Sequence, residues 1–167
     1  MTRLNKAFAT FFVFCGLVAC GPDGGNASTE SGPGGSAANA VDGGTQPSAA
    51  AKAFIGQWTY ISGTETNQCG SAAADTEPVT AADGTVTFSD RSGPDQLVVD
   101  DAGCIVVVTV SGTTATGQPG TICPGNFTTS SLVYTLSSGT LREQGSGQIE
   151  ENGEYCAVSD DAYLTLD

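Results

Sequence analysis

The chain has 167 residues, eighteen acidic side chains against five basic ones, no histidine and a formal net charge of −13. Such an acidic chain is a poor partner for nucleic acid and for anionic lipid head groups, because both would repel it. The lack of histidine excludes Ser-His-Asp and Cys-His catalysis and the usual zinc-hydrolase ligand sets, so we expect no enzymatic activity and no cofactor.

The first nineteen residues have the organisation of an export signal. Two basic residues lie in the first six positions, and residues 7–19 form an apolar run that is too short to span a bilayer comfortably. The run ends in Leu17-Val18-Ala19-Cys20, which resembles the lipobox of bacterial lipoproteins. The resemblance implies that residues 1–19 are a signal peptide and that the Cys20 thiol carries a diacylglycerol through a thioether. An ordinary signal peptide with an unmodified Cys20 is the alternative.

The same resemblance implies a location. Two or more acyl chains, palmitate among them, hold a protein stably on a membrane, whereas one chain anchors it only marginally. The residue after Cys20 is Gly21 and not the acidic residue that retains lipoproteins at the inner membrane of well-studied Gram-negative bacteria. The resemblance therefore implies a lipid-anchored protein of the bacterial cell envelope, with the outer membrane as its expected site.

Residues 20–50 join Cys20 to a segment of different composition. The segment is rich in Gly, Ala, Ser, Asn and Pro, has no aromatic residue, and contains Val41 as its one branched aliphatic residue. It cannot bury enough apolar surface to offset the entropy lost on ordering, so we predict a flexible linker. A chain of this length and composition spans roughly 30 Å, which would hold a small domain clear of a lipid surface.

Residues 51–167 have a globular composition and a length that suits one small domain. Apolar and polar residues alternate with a period of two, as strands require, in segments 54–61, 85–88, 97–99, 104–110, 132–136, 148–150, 155–158 and 163–166. Segment 104–110 is apolar on both faces, which predicts a central strand. Turn signals separate the segments, and Asn152-Gly153 is the strongest hairpin signal. We predict an all-β fold, an antiparallel meander of about eight strands that forms a small barrel or a sandwich.

Gly56-Gln57-Trp58 lies on the first predicted strand. A Gly-x-Trp in this place resembles the motif that opens lipocalins and related calycin barrels. The resemblance implies that Trp58 packs across the closed end of a barrel, that Gly56 allows close approach, and that the interior could hold a small apolar ligand. In the alternative interpretation Trp58 is simply the largest core residue.

The choice between two functions depends on the barrel interior. Small inward side chains would leave a cavity for an apolar ligand, whereas large ones would fill the core, and the large candidates are Trp58, Phe88, Phe127 and Tyr134. A filled core would make the domain a structural or interaction module that displays acidic loops to an envelope partner.

Four cysteines remain after the predicted signal peptide: Cys69, Cys104, Cys123 and Cys156. An even number in an exported domain predicts two disulfides, and the spacings do not match the paired knuckles of zinc sites, so we expect no metal. Three pairings are open. We favour Cys104–Cys123 and Cys69–Cys156, which would join neighbours in the meander and its two ends.

The acidic doublets are the remaining clusters: Asp100-Asp101, Glu150-Glu151 and Asp160-Asp161. Adjacent strand residues point to opposite faces, so a doublet is not by itself a catalytic carboxylate pair, and none has the spacing of a calcium loop. We predict solvated carboxylates in turns. Arg142 shares a polar strand face with other hydrophilic residues, and that face could line a polar lumen or contact water.

Overall fold

A computed structural model describes residues 46–91, 93–151 and 153–167. The predicted signal peptide, Cys20 and residues 21–45 of the predicted linker lie outside the described residues. Contacts group Gly44–Asp167 into one compact unit. That unit begins a few residues before Ala51, because a short helix, α1 (Ala49–Lys52), precedes the first strand and buries the Ala51 side chain.

Nine strands follow the helix, together with short 3₁₀ turns at Ala81–Asp83 and Pro124–Asn126. The strands are β1 (Gly56–Cys69), β2 (Asp75–Val79), β3 (Thr85–Asp90), β4 (Gln96–Asp101), β5 (Cys104–Ser111), β6 (Thr114–Gly117), β7 (Phe127–Ser137), β8 (Thr140–Glu151) and β9 (Glu154–Leu166). The predicted all-β class is confirmed.

Eight of the strands form a closed antiparallel barrel. From β3 to β9 each strand pairs with the next along the chain, and β1 closes the ring by pairing with β3 on one side and β9 on the other. Trp58 marks the closure, since it lies opposite Val86 on one neighbour and Leu166 on the other. The extra strand, β2, pairs with the second half of β1. The barrel alternative is therefore correct and the sandwich is not.

Tight turns connect the meander where the sequence predicts them. Ala102 and Gly103 both have positive φ, 48° and 86°, between β4 and β5, and Ser138 and Gly139 have 51° and 80° between β7 and β8. Two positive φ values are what a type I′ hairpin turn requires. Glu151 pairs with Glu154, so the predicted hairpin at 152–153 is confirmed, although Asn152 itself lies outside the described residues.

Several strands differ from the predicted segments. β1 continues to Cys69 through a polar stretch, because backbone pairing with β2 and β9 stabilises it without apolar alternation. β9 contains two predicted segments, 155–158 and 163–166. Asp160 and Asp161 lie between them and interrupt the apolar alternation, so the sequence does not predict one continuous strand. β2 and β6 have no apolar pattern by which the sequence would predict them.

β5 lies between β4 and β6, as its apolar sequence indicates, but among the described residues its outer face at Ile105 is left open to solvent. Ile105 is 54% exposed, while Val106 and Val108 point inward and are buried. β5 is therefore apolar on both faces, although only its inner face is buried in the core.

Large inward side chains fill the barrel. The bulkiest fully buried ones are Trp58, Tyr134, Phe54, Phe88, Leu97, Leu141 and Leu164. The Phe88 ring packs edge-on against Tyr134 with centroids 4.9 Å apart, and it lies 5.9 Å from the Phe54 ring. The Trp58 indole N–H donates to the Phe54 carbonyl at 2.8 Å, which satisfies its buried donor.

Candidate functional site

Polar side chains replace the apolar core at one end of the barrel interior. Ser48, just before α1, donates from its backbone to Pro94 in the β3–β4 loop, so α1 lies at that end of the barrel. Asp101 lies at the other end of β4, opposite Cys104. There it meets two tyrosines and a glutamate from other strands, and we call Tyr60, Asp101, Tyr134 and Glu143 the carboxyl–tyrosine network.

Hydrogen bonds connect the four members of the carboxyl–tyrosine network. The Tyr60 hydroxyl lies 2.9 Å from Glu143 Oε2 and 3.2 Å from Asp101 Oδ2, and the Tyr134 hydroxyl lies 3.3 Å from Glu143 Oε1. Glu143 is only 4% exposed and Tyr134 is fully buried. A buried carboxyl needs such partners, because an unsatisfied polar group in an apolar interior costs free energy.

The network shifts the acidity of its members. Burial is the main cause that raises the pKa of Glu143 well above its usual range, and the charges of Asp160 and Asp101 raise it further, while the two tyrosine hydrogen bonds act in the opposite direction. Burial likewise raises the pKa of Asp101 to about 6. Burial and the neighbouring Glu143 raise the pKa of both tyrosines, so the hydroxyls remain donors.

Asp160 adds a further carboxyl beside the network. Its pKa is raised to about 6, first by burial and then by Asp101 and Glu65, while a hydrogen bond from the Gly145 backbone lowers it. Gly145 has no side chain, and a Cβ there would collide with the Asp160 carboxylate. Glu65 lies opposite Asp160 on β1 and accepts from the Asn67 amide at 2.9 Å.

The cations of the described residues lie elsewhere. Arg142 is on the outer face of β8 and binds Asp161 through two hydrogen bonds of 2.8 and 2.5 Å, which lower the Asp161 pKa. Its guanidinium also lies 5.8 Å from the centre of the Tyr163 ring. Lys52 belongs to α1 at the opposite end, and Arg91 is exposed after β3. The polar face around Arg142 therefore contacts water, and the polar-lumen alternative is wrong.

The acidic doublets are divided by the alternation of the strands. Asp101 and Asp160 are half-buried on the inner face, whereas Asp100 and Asp161 lie on the outer face. The prediction of solvated turn carboxylates is therefore wrong for the two inward members. Glu143 was not singled out by sequence reasoning, although its place in the alternation Leu141, Glu143, Gly145 marks it as inward.

The described residues contain no group of three or more His, Cys, Asp or Glu side chains that could hold a metal ion. Within the same ranges, no helix is long and apolar enough to cross a membrane.

The two predicted disulfides are present, with the favoured pairing. Cys69–Cys156 joins the end of β1 to the beginning of β9, and Cys104–Cys123 joins β5 to the loop before β7. The second bond brings together two chain segments whose neighbours, Ile105 and Ile122, are 54% and 75% exposed. A disulfide thus fixes two exposed apolar side chains on the barrel surface.

Gly56 and Trp58 lie where close packing needs them. Trp58 is 1% exposed, and a Cβ at Gly56 would lie 2.7 Å from Leu166 Cδ1. This packing suits the Gly-x-Trp motif and equally suits a large core residue. Phe127, a candidate to fill the interior, is half-buried and packs against Gly147 of β8.

The outer surface of β7, β8 and β9 carries two shallow depressions. One, of about 340 Å³, is lined by Thr135, Ser137, Thr140, Arg142 and Tyr163. The other, of about 300 Å³, is lined by side chains of β1, β7, β8 and β9 that are mostly small and polar, among them Thr66, Ser146 and Ser159. Both depressions open outward, away from the buried core.

Comparison with protein-family models, with curated proteins and with solved structures found no match for this chain.

Proposed function

We propose that this protein is a lipid-anchored, non-enzymatic protein of the bacterial cell envelope whose barrel is a rigid interaction module with a filled core. The packed barrel interior supports the second part of this proposal, that the barrel is an interaction module with a filled core. The lipobox-like sequence that ends at Cys20 supports the first half, and the outer membrane is the proposed site of attachment.

The interior favours a filled scaffold over a carrier of apolar ligands. Pockets for small molecules usually measure about 300–1,000 Å³ and enclose most of the ligand. Here Trp58, Phe88 and Tyr134 occupy the region where such a ligand would lie, and each is at most 1% exposed. The two depressions on the outer surface are lined mainly by polar residue types and are open to solvent, so they would not enclose an apolar molecule.

The surface beside the Cys104–Cys123 disulfide is the proposed contact region. Ile105 and Ile122 are more than half exposed there, and exposed apolar side chains on a rigid support are typical of protein contacts. Asp100 lies opposite Ile105 on the neighbouring strand, so the region is apolar with an acidic border. An envelope protein with a complementary apolar surface and basic border is the partner that such a region suits.

Metabolic labelling tests the anchor. Bacteria that express the full chain are grown with an alkyne analogue of palmitate, and labelling is compared between the wild type and Cys20→Ser. Cys15→Ser is the matched control, because Cys15 lies within the apolar run of the predicted signal peptide. We expect label on the wild type and on the control, and none on Cys20→Ser. Equal labelling of all three chains, or no labelling of the wild type, would contradict the anchor.

Site-specific crosslinking in intact cells tests the contact region. A photoreactive amino acid replaces Ile122, and the matched control carries it at Tyr163 on the outer face of β9, which is also exposed. We expect a discrete crosslinked product from position 122 and none from position 163. The contact region would be refuted by products that are the same from both positions or absent from position 122.

A further inference from the structure

The carboxyl–tyrosine network needs one more hydrogen than its tyrosines supply. Three short oxygen–oxygen contacts connect its four side chains: Tyr60 to Glu143, Tyr60 to Asp101, and Tyr134 to Glu143. Each phenol has one hydroxyl hydrogen, so the tyrosines can donate to only two of the three contacts. The third is a hydrogen bond only if Asp101 or Glu143 is a carboxylic acid. With Asp101 protonated, its hydroxyl donates to Tyr60, which donates to Glu143.

The surroundings also favour a protonated carboxyl. The titratable groups that face this end of the interior are Tyr60 and Glu65 from β1, Asp101 from β4, Tyr134 from β7, Glu143 from β8 and Asp160 from β9. β3 presents Val86 opposite Asp101, and β5 presents the disulfide-bonded Cys104. None of the cations in the described ranges faces this group. Four carboxyls lie here without a counter-charge and with little solvent, so they would repel one another if all were ionised.

Two of the three hydrogen bonds connect strands that are not neighbours in the barrel, because Tyr60 on β1 joins Asp101 on β4 and Glu143 on β8. The third, from Tyr134 to Glu143, joins the neighbouring strands β7 and β8. The members of the network belong to β1, β4, β7 and β8, and β4 lies across the ring from β8. The hydrogen bonds therefore hold together opposite walls of the barrel, in addition to the backbone pairing between adjacent strands. If these bonds were replaced by repulsion between ionised carboxylates, this end would lose its cross-barrel connection, while the apolar end beside α1, around Phe54 and Leu97, would keep its packing.

We propose that the carboxyl–tyrosine network is a proton-operated lock, which holds this end of the barrel closed while one carboxyl is protonated and releases it when all are ionised. The raised pKa values of Asp101 and Asp160, both about 6 against 3.8 for an ordinary aspartate, agree with this direction. A carboxyl whose pKa is raised by folding binds its proton more tightly in the folded state. Its contribution to stability is complete below the unfolded pKa and is lost as the pH rises through the folded value.

Urea unfolding at several pH values tests the lock. The purified chain, with its disulfides intact, is unfolded between pH 4.5 and pH 8, and the fluorescence of the single Trp58 follows the transition. For each carboxyl whose pKa shifts from 3.8 to about 6, the unfolding equilibrium constant should increase up to about 100-fold over the titration. We expect an increase of at least about tenfold between pH 5 and pH 8 for the wild type.

Variants separate the network from general charge effects. Glu143→Gln keeps the shape, removes the titration and supplies an amide donor, so its stability should change less with pH than that of the wild type. The matched control is Glu150→Gln on the same strand, whose side chain is exposed and which should retain the wild-type pH dependence. Asp101→Asn is measured if Glu143→Gln does not fold, with the same expectation. The same pH dependence in the wild type and in the network variant would overturn the proposal.

Amide hydrogen exchange tests whether the loss of stability at higher pH is confined to the end of the barrel that holds the network. Protection factors, corrected for the intrinsic effect of pH, are compared at pH 5.5 and pH 7.5. We expect protection to fall at higher pH for β1 residues 63–67, near the network, and to stay nearly constant around Leu97, at the opposite end of β4 beside α1. A uniform change along the barrel would show a general loss of stability without a lock, and unchanged protection everywhere would show that the network does not open. Either result overturns the proposal.

Discussion

The packing of Phe88 gives the sharpest prediction about the barrel interior. Phe88 is 1% exposed and touches two other aromatic rings, so Phe88→Ala should leave a cavity at the centre of the core. Such a truncation costs about 3–5 kcal/mol in a tightly packed core. Small domains have a total stability of about 5–15 kcal/mol, so the variant should lose at least about a fifth of it. The melting temperature should fall by roughly 10–20 °C.

Thermal unfolding followed by circular dichroism, with the disulfides intact, measures this loss. The matched control is Tyr155→Ala, an aromatic truncation at a side chain that is 66% exposed, and it should change stability by no more than about 0.5 kcal/mol. A Phe88→Ala melting temperature within about 4 °C of the wild type would correspond to roughly 1 kcal/mol. That result would refute the tight packing, because a loose interior with spare volume tolerates truncation.

Three further predictions concern covalent and steric constraints. The Cys69–Cys156 disulfide closes a loop of 87 residues and the Cys104–Cys123 disulfide closes one of 19. Replacing both cysteines by serine should lower the free energy of unfolding in urea by about 4.6 kcal/mol for the first bond and about 3.2 kcal/mol for the second. A larger loss for the second bond would contradict the loop-entropy argument. Gly63→Ala should cost about 1–3 kcal/mol by thermal unfolding, since a Cβ there would lie 2.6 Å from the Ala162 backbone; an unchanged melting temperature would show that the strands can separate. Gly139→Ala meets no atom within 4 Å but has a φ of 80°, so it should cost about 1 kcal/mol from backbone strain alone and less than Gly63→Ala.

The alternation of apolar residues was sufficient to predict the barrel strands that have one buried face. β5 and β7 are predictable because Val106, Val108 and Tyr134 belong to apolar runs with a period of two. The turn at Gly103 separates β5 from the preceding strand, and the turn at Gly139 separates β7 from the following one. β2 and the second half of β1 were missed because backbone pairing, and not side-chain burial, holds them in the sheet. Apolar alternation in a sequence indicates side-chain burial. Strands that are stabilised mainly by backbone pairing with their neighbours therefore show no such alternation.

The disulfide pairing was predictable from meander topology, whereas the carboxyl–tyrosine network was not. Cys69 and Cys156 lie at the ends of strands that a closed meander must bring together. The network depends on which acidic residues face inward, and that depends on the strand register. A β-bulge between Tyr60 and Ser62 shifts the register of β1, so the inward position of Glu65 could not be read from the alternation around Trp58.

Native mass spectrometry tests the filled interior most directly. The exported Cys20→Ser chain, which cannot carry the thioether-linked lipid, is purified gently from an oxidising compartment and measured before and after denaturation. We expect the bare mass of the chain, lower by four hydrogens than the reduced form because of its two disulfides. A mass excess that disappears on denaturation would contradict the filled core and would identify the barrel as a carrier of a bound molecule.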